Sequence, residues 1–262
     1  MTDQQLPQFS DASVYERNMG TWSRLAGRVF IDWLASPAGL QWIDVGCGAG
    51  AFTELLIEHC APAAIKGVDP SESLLAYARN RAAGQIAEFA HGDAMRLPFP
   101  DSSFDVATMA LTLYFVPDPA AGVAELARVV RPGGLVAAYN WDFMRGGFPF
   151  VAIQDEMREL DVAPKMPPGI DQTRMETTRG LWAAAGICRI ETKEIQVQRT
   201  FASFDDFWAI STTGSTGPVI AQMPSTEVEL LKARVRARLA EDFVGRITCS
   251  AKAIAVKGQV PS

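Results

Sequence analysis

The sequence predicts an α/β protein built around a mostly parallel β-sheet. Five short apolar runs, at residues 40–45, 64–69, 86–91, 104–110 and 134–139, have the length of buried strands. Turn-forming residues bound each run, and segments with helical periodicity separate one run from the next. Strands and helices that alternate in this way form βαβ units, which place helices on both faces of a parallel sheet.

The bulk composition favours one globular domain. The chain has 262 residues, of which 48% are hydrophobic and 21% are charged, and this balance supports a substantial core. The formal net charge of -6 disfavours a nucleic-acid partner. No apolar run reaches the roughly 18 residues that a membrane span needs, and the N-terminus lacks a secretory signal, so we expect a cytoplasmic protein. Four scattered cysteines and two histidines indicate neither disulfides nor a metal site.

The helix after the fourth predicted strand has the clearest boundaries. Asp118 is a preferred N-cap residue, and Pro119 suits the first helical turn. We predict that the helix ends at Pro132-Gly133-Gly134. Its predicted core stripe comprises Val123, Leu126, Ala127 and Val130.

The C-terminal part is less regular, with predicted strands at about 187–197 and 248–257. Residues 203–243 between them predict a lid-like insertion that contains an amphipathic helix. We expect Val228, Leu231, Val235 and Leu239 to face inward. The basic side chains of the same helix, Lys232, Arg234, Arg236 and Arg238, are predicted to form a solvated face.

The stretch "WIDVGCGAGAFTELL" (residues 42–56) predicts a strand, a glycine-rich turn and a helix. Such a turn lets backbone N–H groups approach a ligand. A dinucleotide fingerprint would read G-x-G-x-x-G, whereas Gly46, Gly48 and Gly50 read G-x-G-x-G. Asp44 would repel a pyrophosphate but suits an amino group. The favoured ligand is an amino acid joined to a nucleoside.

Two further acids follow the next two predicted strands. Asp69 lies 19 residues after Gly50, where a carboxylate can accept hydrogen bonds from both ribose hydroxyls. Asp93 follows the third strand, where an adenine amino group would lie if Asp69 holds the ribose. Asp69 alone would also fit NAD, but NAD does not require all three acids. Turn or helix capping is the alternative for each acid, but their shared place after successive strands favours ligand binding.

With these residues in place, the sequence resembles the class I S-adenosylmethionine-dependent methyltransferases. It is most similar to the small-molecule branch that includes the ubiquinone and menaquinone biosynthesis methyltransferases. The resemblance is strongest over residues 40–142. It is carried by the segments "IDVGCGAG", "GVDPS", "GDAMRLPFPDSSFDVA", "LTLYFVPDP" and "ELARVVRPGG", which occur in the family's order.

The resemblance implies a Rossmann-like sheet of seven strands whose last strand is antiparallel. It implies a single methyltransferase domain over 1–262, with an N-terminal helical cap (1–38), a cofactor-binding core (39–142) and the lid-like insertion (203–243). The implied cofactor is S-adenosylmethionine. The residues that would bind it are Tyr15, Trp22, Asp44, Gly46, Cys47, Gly48, Asp69, Pro70, Asp93, Ala94, Met95 and Leu111.

The methyl acceptor is expected to be a small, partly apolar molecule. Tyr114, Trp141 and Trp208 are the candidates for its pocket, although core packing explains each of them equally well. Many family members carry two histidines where this chain has Tyr114 and Phe115, so the general-base role of those histidines does not carry over and the catalytic residues stay unassigned. Methyl transfer would then depend on proximity and orientation. A noncatalytic cofactor-binding protein and an NAD-dependent oxidoreductase remain as alternatives.

Overall fold

A computed structural model describes residues 16–214 and 216–262. The strands are β1 Gln41–Val45, β2 Ala64–Asp69, β3 Glu88–His91, β4 Phe104–Ala110, β5 Val130–Trp141, β6 Cys188–Phe201 and β7 Ile247–Gln259. The α-helices are α1 Thr21–Leu34, α2 Ala51–Cys60, α3 Glu72–Arg79, α4 Pro119–Val129, α5 Val151–Glu159, α6 Met175–Ala184, α7 Phe204–Ser211, α8 Gly217–Ile220 and α9 Ser225–Arg238. A π-helical turn, Glu16–Gly20, precedes α1.

The strands form one seven-stranded sheet with the order β3-β2-β1-β4-β5-β7-β6. Strands β1 to β5 pair in parallel, and β7 pairs antiparallel with both β5 and β6. The predicted mostly parallel sheet with an antiparallel last strand is therefore confirmed. Because parallel strands end at one edge, the loops that follow β1, β2, β3, β4 and β5 all lie along the carboxyl edge of the sheet.

Alternation along β5 divides the core into two faces. Ala137, Tyr139 and Trp141 belong to the cluster that includes α1, α2 and the inward residues of β6. Val136 and Ala138 belong to the cluster on the opposite face. There the Trp182 indole of α6 donates to the Val136 carbonyl at 3.0 Å. Both faces of the sheet are thus covered by helices, as the near-continuous apolar strands require.

Helix α1 packs on the sheet through a continuous apolar stripe. Phe30 lies 4.8 Å from Tyr139 and 6.0 Å from Phe52, measured between ring centroids. Trp22 and Phe30 are fully buried. Burial of such side chains stabilises the fold by about 1.5–3 kcal/mol each, which explains why this N-terminal helix docks on the core.

The predicted end of the helix after β4 was wrong. Helix α4 begins as expected, with the Asp118 carboxylate accepting from Ala121 N at 3.0 Å, but it ends at Val129 and passes directly into β5. Pro132, Gly133 and Gly134 lie inside β5, where the pairing with β4 shifts register. Gly133 has a φ of +77°, and a Cβ on Gly134 would lie 2.6 Å from the Asp105 carbonyl oxygen. The two glycines therefore allow a bulge in the strand.

The basic residues of α9 form a solvated face only in part: Arg236 and Arg238 are exposed, but two of the arginines also bind α5. Arg234 Nε donates to Glu156 Oε2 at 2.7 Å, and Arg238 Nη2 donates to Asp155 Oδ2 at 2.6 Å. These contacts dock α9 on α5. Lys232 pairs with Asp205 at 3.1 Å. The sequence pattern concealed this interface because α5 had not been predicted as a helix.

Among the described residues, no helix combines the length and apolar character that crossing a membrane requires.

Candidate functional site

Asp44 lies near the end of β1 and is fully buried. Its Oδ2 accepts a hydrogen bond from Thr53 Oγ1 at 2.7 Å, whereas its Oδ1 has no hydrogen-bond partner in the described part of the chain. The neighbouring Thr108 hydroxyl donates to the Ile43 carbonyl at 3.2 Å and, through its interaction with Asp44, also lowers the pKa of that carboxyl. Burial raises the pKa of Asp44 to about 7; the Thr53 hydrogen bond opposes this shift and the Asp69 carboxylate adds to it. A buried oxygen in this state favours a cationic or hydrogen-bond-donating ligand.

Gly46 and Gly48 are glycines for different structural reasons. Gly46 has a φ of +74°, and a Cβ there would lie 2.2 Å from Thr112 Cγ2. Thr112 Oγ1 also donates to the Gly46 carbonyl at 3.2 Å. Gly48 has a φ of +52°, and a Cβ there would meet only Leu74 Cδ1, at 4.0 Å. Gly46 is therefore needed for packing against the loop after β4, whereas Gly48 leaves open space beside the turn.

Asp69 ties the glycine turn to the end of β2. Its Oδ2 accepts from Gly48 N at 2.9 Å and its Oδ1 accepts from Ser71 N at 2.8 Å. Burial raises the pKa of Asp69, and these two backbone hydrogen bonds oppose the rise. Each carboxylate oxygen has two lone pairs. Asp69 therefore keeps acceptor capacity beside Gly48 for a pair of hydroxyl groups.

The third acid is arranged differently. Asp93 is exposed, and its Oδ1 accepts from Met95 N at 2.9 Å. This hydrogen bond forms a local turn that uses one of the backbone donors predicted to face a ligand. Ala94 lies between the two residues and Pro70 is exposed after β2. These residues border the carboxyl ends of β2 and β3, as the sequence predicted.

Cys47 packs inside the glycine turn. Its side chain is 6% exposed, and a Cβ on Gly67 would lie only 2.9 Å from its Sγ. Burial, followed by the charges of Asp44 and Asp69, raises the pKa of the Cys47 thiol well above its usual value. Since the thiolate is the nucleophilic form, this cysteine has a packing role in the turn.

Leu111 follows β4 in a strained conformation. Its φ is +55°, a region that costs a non-glycine residue about 1–3 kcal/mol. Leu111 N donates to the Tyr139 carbonyl at 2.8 Å, which holds the backbone there. The next residue, Thr112, contacts Gly46. The strain thus brings the loop after β4 against the glycine turn.

The two N-terminal candidates have different outcomes. Tyr15 lies outside the described residues. Trp22 is fully buried in the core, with its ring 6.5 Å from that of Phe201. Its indole nitrogen has no hydrogen-bond partner among residues 16–214 and 216–262. Trp22 therefore packs α1 against β6.

The three acceptor-pocket candidates all join one hydrophobic cluster. Tyr114 and Trp141 are buried members of it, and Trp208 packs against its rim. The Tyr114 ring lies 5.4 Å from Phe143, and the Trp208 ring stacks on Phe204 at 6.2 Å. The structure therefore brings Tyr114, Trp141 and Trp208 together in the hydrophobic cluster that also includes residues of α1 and α2.

Two site residues were missed by sequence reasoning. Thr53 bonds Asp44 from the first turn of α2, and Thr112 fills the space that Gly46 leaves. A threonine in the first turn after the glycines is the only local signal for Thr53. Nothing near Thr112 in the sequence indicates its contact, because the two partners are 66 residues apart.

The central part of the chain matches a known domain family. Residues 43–138 match the family described as "Methyltransferase domain". Over 103 residues the chain is 43% identical to the demethylmenaquinone methyltransferase of Bacillus licheniformis. That alignment covers 38% of this chain and 44% of the relative, so the chain matches less than half of the relative's length.

Solved structures share the fold over most of the chain. The YcgJ protein of Bacillus subtilis superposes with a TM-score of 0.59 at 19% identity, covering 90% of this chain and 98% of that one. A phosphoethanolamine N-methyltransferase of Haemonchus contortus, in complex with S-adenosylhomocysteine, gives a TM-score of 0.58 at 14% identity. It covers 95% of this chain and 57% of that one.

The sheet order and these superpositions give the chain the Rossmann-like fold of known methyltransferase structures. The family match is more specific than the fold. Residues 43–138 match a methyltransferase domain, in agreement with the resemblance seen in the sequence.

Proposed function

We propose that this chain is an S-adenosylmethionine-dependent methyltransferase acting on a small, partly apolar acceptor. The observation that carries the proposal is the unpartnered Oδ1 of Asp44, near a glycine turn with open space beside Gly48. A buried carboxylate oxygen fits the α-ammonium group of a methionine moiety. Asp69, at the end of the next strand, fits the attached ribose.

The remaining predicted residues complete this assignment. Gly46, Gly48, Cys47 and Leu111 would border the methionine part, and Asp44 would hold its ammonium group. The adenine side would be bordered by Pro70, Asp93, Ala94 and Met95. Tyr15 and Trp22 belong to the proposed cap over residues 1–38. Trp22 would support this cap by packing α1 on β6, because its ring is buried.

The bound cofactor supplies a methyl group made electrophilic by its sulfonium centre. The protein then has to orient the acceptor and exclude water. Proximity and orientation supply about 7–11 kcal/mol in favourable cases, so an acceptor that is already nucleophilic needs no base. We propose Tyr114, Trp141 and Trp208 as the apolar wall of the acceptor pocket and assign no catalytic base.

The name of the Bacillus licheniformis relative makes a quinone-type acceptor one candidate. The family match ends at residue 138, so Trp141, Trp208 and the proposed lid at 203–243 lie outside it. We therefore propose the cofactor with its binding residues and leave the acceptor at the level of a small, partly apolar molecule.

A binding and turnover experiment tests the proposal. We expect calorimetry to detect S-adenosylhomocysteine binding to the purified chain and no binding of NADH. Transfer of a radiolabelled methyl group from S-adenosylmethionine is then measured over a panel of phenols, quinols and amines. Binding of NADH in place of S-adenosylhomocysteine would overturn the proposal. Tight S-adenosylhomocysteine binding without transfer to any acceptor would favour the noncatalytic alternative.

A further inference from the structure

A small polar cleft opens at the carboxyl end of β5, on the face of the sheet covered by α6. It encloses about 290 Å³, counted with its open mouth. Asp142, Arg145, Arg174, Met175 and Ile254 are among its lining residues. The cleft lies on the same edge of the sheet as the glycine turn, beyond the residues assigned above to the cofactor.

Asp142 is held rigidly in the wall of this cleft. Its backbone N donates to the Lys252 carbonyl at 2.9 Å, which continues the pairing of β5 with β7. Its Oδ1 accepts from Arg145 N at 3.1 Å. The side chain is 1% exposed, and Oδ2 has no hydrogen-bond partner in the described structure. A buried carboxylate oxygen without a partner is costly.

A second unpartnered polar group lies near the cleft, at the end of β5. Asn140 is in β5, two residues before Asp142, which follows the strand. Asn140 is 1% exposed, and both polar atoms of its amide lack partners among the described residues. Its cross-strand neighbour is Ile254, which lines the cleft. The large majority of buried side-chain polar atoms have partners, so the unpartnered Asp142 Oδ2 and the neighbouring Asn140 amide favour a ligand in the cleft.

The charged groups around the cleft leave Asp142 Oδ2 without a hydrogen-bond donor in the described structure. Glu194 has two cationic neighbours, with its Oε2 3.8 Å from Arg145 Nη1 and its Oε1 3.3 Å from Lys252 Nζ. At the mouth, Arg174 Nε lies 3.5 Å from Asp171 Oδ1. These nearby cations therefore have acidic partners, whereas Asp142 Oδ2 has none. Met175 and Ile254 add apolar surface to the wall.

Hydrogen bonds and ring contacts connect the cleft to the proposed acceptor pocket. Gly169 N donates to the Tyr114 carbonyl at 2.9 Å, which joins the loop after β4 to the segment that leads to Arg174. Phe143, the residue after Asp142, contacts the Tyr114 ring at 5.4 Å. Tyr114 belongs to the cluster on the opposite face of the sheet, so the cleft and the proposed acceptor pocket meet at the carboxyl edge, through Phe143.

We propose that the cleft is a subsite for the methyl acceptor, in which Asp142 accepts a hydrogen bond from an ammonium or hydroxyl group of the acceptor. The neighbouring Asn140 amide is a second polar group at this end of β5, and Met175 and Ile254 contact the adjoining carbon atoms. The acceptor class that this selects is a small molecule with an amine or alcohol group on an apolar body. This inference rests on the proposed function, because it assigns the bound molecule as the acceptor.

Ligand-observed NMR titration with three matched probes tests the subsite. Phenethylamine, phenethyl alcohol and hydrocinnamate are titrated into the full chain in the presence of S-adenosylhomocysteine. We expect the amine and the alcohol to bind and the carboxylate not to bind. Asp142→Asn keeps the size of the side chain and its hydrogen bond to Arg145 N but removes the charge. It should weaken the amine by about tenfold to a hundredfold, the value of a charge-assisted hydrogen bond.

Asp118→Asn is the matched control. Asp118 also accepts a backbone hydrogen bond, from Ala121 N at 3.0 Å, but it is exposed. This variant should leave amine binding unchanged. Equal amine binding to Asp142→Asn and the parent protein, or no binding of either the amine or the alcohol, would overturn the subsite. Calorimetry with S-adenosylhomocysteine on the same samples separates this failure from failure of the proposed function.

Discussion

The two halves of the carboxyl edge are built in different ways. At β1 and β2 the site consists of backbone atoms and carboxylates within short motifs, such as Gly48 N bonded to Asp69. At β5 and the proposed lid it consists of side chains brought from distant segments, such as Asn18 of the N-terminal turn bonded to Ile210 of α7. We infer that the first half specifies a cofactor shared by many proteins, whereas the second half specifies this protein's own acceptor.

The largest expected effect is at Gly46 in the first half. Gly46→Ala should lower the free energy of unfolding by about 2–5 kcal/mol, through a left-handed backbone and a clash with Thr112. Gly39→Ala is the control, since Gly39 has a φ of +80° and a Cβ added there would have nothing within 4 Å. Chemical denaturation should show a loss of only about 1–2 kcal/mol there. Equal losses at both positions would show that the contact with Thr112 is unimportant.

Asp69→Ala should weaken S-adenosylhomocysteine binding by roughly tenfold to a hundredfold, because it removes a hydrogen-bonding carboxylate beside Gly48. Calorimetry measures the effect. Asp118→Ala is the comparison variant: it removes a helix cap and costs stability but should leave binding unchanged. Unchanged affinity in Asp69→Ala would count heavily against the cofactor assignment.

Cofactor affinity should rise with pH because of Asp44. The pKa of this buried carboxyl is about 7 before binding, and an ammonium group at Oδ1 favours the ionised form. Binding then releases a proton, and affinity rises by up to about tenfold per pH unit until it levels off above pH 7. Calorimetry in buffers of different ionisation enthalpy measures the proton release. Asp44→Asn should bind weakly and without this pH dependence.

The same pKa has the opposite effect on stability. The folded protein holds the Asp44 proton more tightly than the unfolded chain does, since the pKa rises from 3.8 to about 7 on folding. The contribution of this group to the free energy of unfolding therefore falls as pH rises through that interval and is constant above it. A comparison of the parent protein with Asp44→Asn over this range isolates the contribution.

The smallest expected effect is at Asn18, in the second half. Its Nδ2 donates to Ile210 O at 2.6 Å and to Thr213 Oγ1 at 3.1 Å. The backbone carbonyl of Asn18 accepts from Arg199 Nη1. Asn18→Ala should cost roughly 1–2 kcal/mol of stability and speed the release of S-adenosylhomocysteine. In the control, Asn80→Ala, the lost bond to Ala76 O is exposed, so stopped-flow release should not change. Equal release rates in Asn18→Ala and the parent protein would show that the N-terminal segment does not affect the release of S-adenosylhomocysteine.

Much of the first half was predictable because its contacts are local. The bounds of β2 and β4 agree with the apolar runs at 64–69 and 104–110, and Asp44 and Asp69 lie along the edge where parallel strands end. The strain at Leu111 and the role of Thr112 were not predictable. Both depend on contacts with Tyr139 and Gly46, and no periodicity in the sequence records them.

The sequence by itself determined the alternation of strands and helices, the glycine turn and the acids at the carboxyl edge, because apolar spacing and the conformational freedom of glycine act over a few residues. Only the tertiary structure decided that Trp22 packs inside the core, that α9 docks on α5 through Arg234 and Glu156, and that Asp142 lines a cleft. These arrangements depend on how helices and strands far apart in the chain pack together. That packing depends on shape and charge complementarity between surfaces that exist only after the chain has folded.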